Sequence, residues 1–163
     1  MRALTIWQPW ASFLALGYKR IETRSWRQLV MPGEVIAIHA AKRPEPDRLY
    51  GPEYKARQAV QNSYGWEAGA KAFPLGAVVA LCTFDRIVGV AAPDIAALSR
   101  RELALGDFSE GRYGWRVGSL AAMQEPIPCK GAQRLWTLPA DVTNEAIQQA
   151  TLTGFYHDSS GCL

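Results

Sequence analysis

The chain has 163 residues, which suits one ordinary domain able to bury roughly two thirds of the surface its unfolded form would expose. Hydrophobic residues make up 48% and charged residues 20%, a composition that excludes a disordered chain, and no apolar run approaches the ~20 residues of a membrane span. A net charge of +3 is far below that of a histone-like binder, so any nucleic-acid contact has to be made by a local site.

At the N-terminus, Arg2 and the apolar stretch ending at Leu16-Gly17 imitate a secretory signal. Gln8-Pro9 breaks that stretch, and Lys19, Arg20, Glu22 and Arg24 stand where a small-residue cleavage site would be needed, so no leader is expected. Cys82, Cys129 and Cys162 are odd in number and widely spaced, which suggests neither a disulfide framework nor a zinc site. A cytoplasmic location is expected.

In chain order, Ala3 to Ile6 reads as an opening strand. Pro9 then starts a helix running to Leu16, capped by Gly17, with Trp10, Phe13, Leu14 and Gly17 on one apolar face. Ile21 to Trp26 alternates like a strand, and Gly33 to His39 is a clearer one, rich in β-branched residues. The two are expected to pair across the turn Met31-Pro32-Gly33. Residues 42 to 53 read as a loop, and Glu53 to Tyr64 as a helix closed by Gly65.

Ala77 to Phe84 is almost continuously apolar, which predicts a strand buried on both faces at the centre of the sheet. Residues 94 to 105 have helical spacing and end at Gly106. Tyr113 to Val117 and Leu135 to Leu138 read as further strands, the second after a turn at Pro126 to Gly131. Asp141 to Leu152 is expected to be a helix and Gly154 to Leu163 a tail. Strands spread along the chain with helices inserted irregularly predict an α+β fold around a barrel-like or strongly bent sheet. The expected organisation is a domain over residues 1–140, with residues 141–163 as a C-terminal helix and tail.

Phosphate loops, nucleophile elbows and the zinc-binding HExxH pattern are all missing from the sequence. His39 closes an apolar strand and is expected to be a satisfied structural histidine, and His157 lies in the expected tail. No metal site and no cofactor is predicted, and a divalent ion is left open. What remains is a basic cluster crowding the first third: Lys19, Arg20, Arg24, Arg27, Lys42, Arg43 and Arg48. In a strand over residues 20 to 26, Arg20, Glu22, Arg24 and Trp26 share one side. Cations flanking Glu22 favour its charged form, which suits a structural clamp or an acceptor for a ligand hydroxyl. Lys19 joins this face only from a loop before the strand. The plain alternative is that Glu22 and Arg24 form an ordinary cross-strand surface pair. Six tryptophans are many for this length; most are expected to fill the core, but aromatic and basic residues together also stack bases and track phosphates.

Trp7-Gln8-Pro9-Trp10-Ala11-Ser12 followed by Gly17-Tyr18-Lys19-Arg20-Ile21-Glu22-Thr23-Arg24-Ser25-Trp26 resembles the ASCH family, whose hallmark is a GxKxxExR segment directly after the first helix. The resemblance continues through Gly33 to Lys42, Gly76 to Asp85, Glu110 to Trp115 and Pro128 to Trp136, covering roughly residues 3 to 138. It implies a PUA-like β-barrel of about five to six strands with peripheral helices, and a basic cleft that binds RNA or a nucleotide-like ligand. Carried onto this sequence, the ligand-binding set is Lys19, Glu22, Arg24, Trp26, Tyr113 and Trp115. Some similar bacterial proteins are ribonucleases or acetylcytidine amidohydrolases, which makes a hydrolase using Lys19 and Glu22 the alternative. In the amidohydrolases, a threonine stands at the position that Glu22 occupies here. A pure protein-interaction domain is the third reading, with an exposed apolar patch as its mark.

Overall fold

The computed structural model describes residues 1–43, 73–91 and 95–157. The helix expected over Glu53 to Tyr64, nearly all of the loop before it, and Cys162 lie outside the described residues.

The strands are β1 (Arg2–Ile6), β2 (Ile21–Arg24), β3 (Val35–Ala40), β4 (Ala77–Gly89), β5 (Tyr113–Pro128), β6 (Leu135–Thr137) and β7 (Tyr156–His157). The described helices are α1 (Trp10–Ala15), α2 (Arg100–Leu105) and α3 (Ala140–Thr153). The strands form one sheet in the order β2-β5-β4-β3-β1-β6, with β7 paired to β5. Among the described strands only β1 and β3 run parallel, with Arg2 opposite Ile36; the remaining pairs are antiparallel. This curled half-barrel with helices against it is the expected α+β, PUA-like architecture.

From Ala77 to Phe84, β4 is covered on both faces because two cores meet on the sheet; Asp85 and Arg86 beyond it are exposed. Alternation sends Leu4, Ile6, Ile36 and Ile38 to one core, with α1, while Ala3 and Ala37 point to the other, with α3. In α3, Val142, Ala146 and Ala150 recur every four residues and face this second core, so the C-terminal helix packs on the sheet.

Several expectations are corrected. β2 does not form a hairpin with β3; it pairs with the start of β5, Ile21 opposite Arg116 and Arg24 opposite Tyr113. β3 instead lies between β1 and β4, where both of its faces and both of its edges are covered. The strand beginning at Tyr113 runs past Val117 and into the first part of the expected turn, ending at Pro128, because register shifts near Val78, Cys82 and Phe84 let one long strand bend with the sheet. Tyr156 and His157, expected in a tail, pair with Leu120 and Ser119.

Candidate functional site

The site begins at the end of α1. Gly17 adopts φ +74, the left-handed conformation that costs glycine least, and the amides of Gly17 and Tyr18 donate to Leu14 and Phe13. The helix stops there, and Lys19 turns inward ahead of β2, with its own amide also held by the Phe13 carbonyl at 3.0 Å. Lys19 therefore lies in the loop before the strand. Upstream, buried Gln8 accepts from the Ser12 amide and donates to the Pro74 carbonyl, fixing the Trp7–Trp10 turn, in which the Gln8–Pro9 peptide is cis.

The Lys19 side chain is only 2% exposed. Its Nζ donates to the carbonyls of Ile21 at 2.6 Å and Leu105 at 2.8 Å, and stands 3.5 Å from Glu22 Oε2. The Leu105 carbonyl belongs to the last turn of α2, whose final acceptors have no partner within the helix, so Lys19 caps α2 while anchoring β2. All three contacts are to acceptors. The nitrogen thus presents hydrogens, and no lone pair, to its surroundings.

Glu22 is buried beside Lys19, and its other oxygen, Oε1, lies 3.0 Å from Arg24 Nε. That contact is an ion pair without hydrogen-bond alignment, because Arg24 Nε has no hydrogen-bond acceptor. Arg24 Nη2 donates at 2.9 Å to the Thr5 carbonyl of β1. Between Glu22 and Arg24, Thr23 accepts from the Asp107 amide through Oγ1 and from Arg112 Nη2 through its carbonyl. Arg112 Nη1 in turn pairs with Asp107 Oδ2 at 3.2 Å.

These side chains line a cavity of about 290 Å3, with Trp7 and Trp10 as its aromatic wall and Ala104, Leu105 and Gly106 closing it at the end of α2. Lys19, Arg24 and Arg112 contribute three cations against the two carboxylates of Glu22 and Asp107, so the lining carries an excess of positive charge. A second cavity of about the same volume lies over Ile21, Val88 and Phe108; it is walled chiefly by apolar residues, with Arg86 and Arg116 its charged members.

Lys19, Glu22 and Arg24 are thus brought together, whereas Trp26, Tyr113 and Trp115 do not line the cavity. Trp115 is fully buried between Trp26, at 5.1 Å, and Phe84, at 5.4 Å, so it has no face to offer a ligand. Trp26 is half-buried against the same core and lies beneath the Arg134 guanidinium at 5.8 Å. Tyr113 packs on that core opposite Arg24. The aromatic lining comes instead from Trp7 and Trp10, which the sequence marks as part of the opening segment and, for Trp10, as a helix-face residue, but not as ligand contacts. Arg112 is marked only as a member of the Glu110 to Trp115 segment, and Asp107 carries no comparable signal.

A positioning residue also escaped the sequence reading. Glu102, in the first turn of α2, accepts from the Arg20 and Ile21 amides at 2.9 to 3.2 Å, while its own amide donates to Ser99 Oγ. Ser99-x-x-Glu102 has the spacing of a reciprocal helix cap, but here the glutamate is directed across to β2. His39 is structural, as expected: Nε2 donates to the Cys129 carbonyl at 3.2 Å, leaving Nδ1 to accept from Thr5 Oγ1 at 3.3 Å, a tautomer assigned from these partners. Among the described residues no cluster of three or more His, Cys, Asp or Glu could hold a metal, and no helix is long and apolar enough to cross a membrane.

The fold is similar to a solved ASCH structure from Zymomonas mobilis, with a TM-score of 0.57 and 15% identity over 90% of this chain and 93% of that one. A serine-to-alanine variant of the Z. mobilis protein aligns with a TM-score of 0.54 and 16% identity, covering 94% and 96% of the two chains. No protein-family model matches the chain, and no curated protein sequence matches it. Identities this low carry the fold and nothing further: the chain has an ASCH-domain fold.

Proposed function

On the premise of the ASCH-domain fold, we propose that this chain binds RNA or a nucleotide-like ligand in the cavity around Lys19, Glu22 and Arg24. The reading is carried by one observation: Trp7 and Trp10 share a concavity with the guanidinium groups of Arg24 and Arg112 and with the Glu22 carboxylate. Indole faces stack bases regardless of sequence, guanidinium groups take phosphate or base carbonyl oxygens, and a carboxylate accepts from a sugar hydroxyl or a base amine. Lys19 serves this site from behind. Its hydrogens are spent on Ile21, Leu105 and Glu22, so it fixes the carboxylate and does not reach for a phosphate.

The same geometry supports binding above hydrolysis. A nucleophile or general base needs a lone pair directed at the substrate, and Lys19 Nζ faces three acceptors instead.

The test is fluorescence anisotropy of the full chain with short single-stranded RNA at low and raised salt. Affinity is expected to fall as salt rises. Trp7→Ala, at a residue 39% exposed, is expected to weaken binding by about 1–3 kcal/mol while the protein stays folded. Absence of binding at low salt overturns the reading. Turnover of RNA or acetylcytidine by the pure protein, abolished in Glu22→Ala, would replace binding with hydrolysis.

A further inference from the structure

We propose that the base held in this cavity is guanine, read on its Watson–Crick edge by Glu22 and Arg24 acting together. This rests on the nucleotide-binding reading above and specifies its ligand.

The cavity of about 290 Å3 lies at the lower edge of the range of small-molecule sites, ~300–1,000 Å3, so it has room for one base with part of its sugar and none for a folded RNA element. What selects the base is the order of donors and acceptors along the wall. Lys19 and Arg24 each take one contact from the Glu22 carboxylate, on Oε2 and Oε1 respectively. A carboxylate has roughly four lone-pair sites, so each oxygen keeps capacity for a ligand hydrogen. Flanked by two cations, Glu22 offers two adjacent acceptors. Beside them, Arg24 commits one η hydrogen to Thr5, and its η nitrogens carry three more. The wall therefore reads acceptor, acceptor, donor.

Guanine alone among the four RNA bases presents the complement: the 2-amino group and N1–H are adjacent donors, followed by the O6 acceptor. Cytosine presents two acceptors and one donor, and so sets its N3 against the carboxylate. Adenine sets N1 there, and uracil flanks its single N3–H with two carbonyl oxygens. Each wrong base leaves an acceptor facing an acceptor in a mostly buried site, which costs more than the lost bond. Trp7 and Trp10 supply a stacking wall that any base can use, so they add affinity without changing the order of preference.

The experiment compares five RNAs of sequence UUXUU, with X as guanine, adenine, cytosine, uracil or hypoxanthine, against the full chain by fluorescence anisotropy. Guanine is expected to bind tighter than adenine, cytosine or uracil by about tenfold or more. Hypoxanthine, which keeps N1–H and O6 but lacks the 2-amino group, is expected to fall between. Glu22→Gln replaces one acceptor with a donor and is expected to remove the guanine preference; the hypoxanthine comparison needs no variant. Equal affinity for all five RNAs, tighter binding of another base, or a guanine preference that survives in Glu22→Gln overturns the guanine assignment while nucleotide binding stands. If none of the five binds, both fail together.

Discussion

Arg24 Nη2 donates to the carbonyl oxygen of Thr5 at 2.9 Å, so a side chain from β2, at one end of the hydrogen-bonded strand path, reaches the backbone of β1, next to the other end. The arginine that confines Glu22 is also a fastener of the curled sheet. Its side chain is 19% exposed, which shields both contacts from solvent. Arg24→Ala is expected to leave the Thr5 carbonyl without its donor and Glu22 without one cation, lowering stability by about 1–3 kcal/mol. Arg24→Lys is expected to recover little, since one ammonium cannot reproduce the fork that reaches both partners. Urea unfolding of the three proteins measures this; equal stability of the wild type and Arg24→Ala would show the sheet closes without the bridge.

Lys19 makes a sharper prediction, because its ammonium satisfies two backbone carbonyls in addition to facing Glu22. Lys19→Met is expected to cost about 3–5 kcal/mol, because buried Glu22 keeps only Arg24 as a cation and the Ile21 and Leu105 carbonyls lose their donor. Adding Glu22→Leu is expected to recover part of that loss, giving a double variant more stable than Lys19→Met alone. Denaturant midpoints for the four members of this cycle decide the point, and strict additivity would mean that Lys19 and Glu22 do not interact.

Much of this arrangement is legible in the sequence, and what is not has physical reasons. Periodicity is a local signal, so α1 with its Gly17 stop and the buried strand from Ala77 follow from neighbouring residues alone. Pairing is not local: β2 is expected to pair after its own turn, but finds Tyr113 to Arg116, 89 to 95 positions away, because β3 is already claimed on both edges. The placement of Lys19 depends on where β2 begins, which the Glu102 carboxylate of α2 helps to fix. Trp115 follows Tyr113 and Gly114 in a motif-like segment, yet strand alternation points it into the core, a direction fixed only by the β5 pairing. The α3 stripe Val142, Ala146 and Ala150 is readable as a helix face, but its target on the sheet is not.

Glu102 is the next residue whose loss is predictable. It is 6% exposed and receives two backbone N–H groups at the start of β2. Glu102→Ala is expected to orphan both donors, at about 1–3 kcal/mol each, whereas Glu102→Gln keeps one carboxamide oxygen and recovers part of the loss. Amide hydrogen exchange at Arg20 and Ile21 reports this directly: faster exchange at both in Glu102→Ala is expected, and unchanged rates would remove Glu102 from its positioning role.

The last prediction concerns pH. Burial lowers the pKa of His39 below its ordinary value, and the hydrogen bond to the Cys129 carbonyl only partly opposes that shift. The folded protein therefore binds its imidazole proton less readily than the unfolded chain does. It follows that stability is fully present above the unfolded value of about 6.5 and is lost as pH falls below it, at no more than about 1.4 kcal/mol per pH unit for one group. Gly131 leaves the room in which the ring sits: a Cβ there would stand 2.4 Å from Cε1 and 2.6 Å from Nδ1. Across the ring, Trp136 packs edge to face at 5.5 Å, and its indole N–H donates to the same Thr5 hydroxyl that serves Nδ1. His39→Gln is expected to lower stability at neutral pH and to flatten its fall between about pH 7 and pH 5, read from urea midpoints across that interval. A slope unchanged by His39→Gln would assign the acid sensitivity to another group.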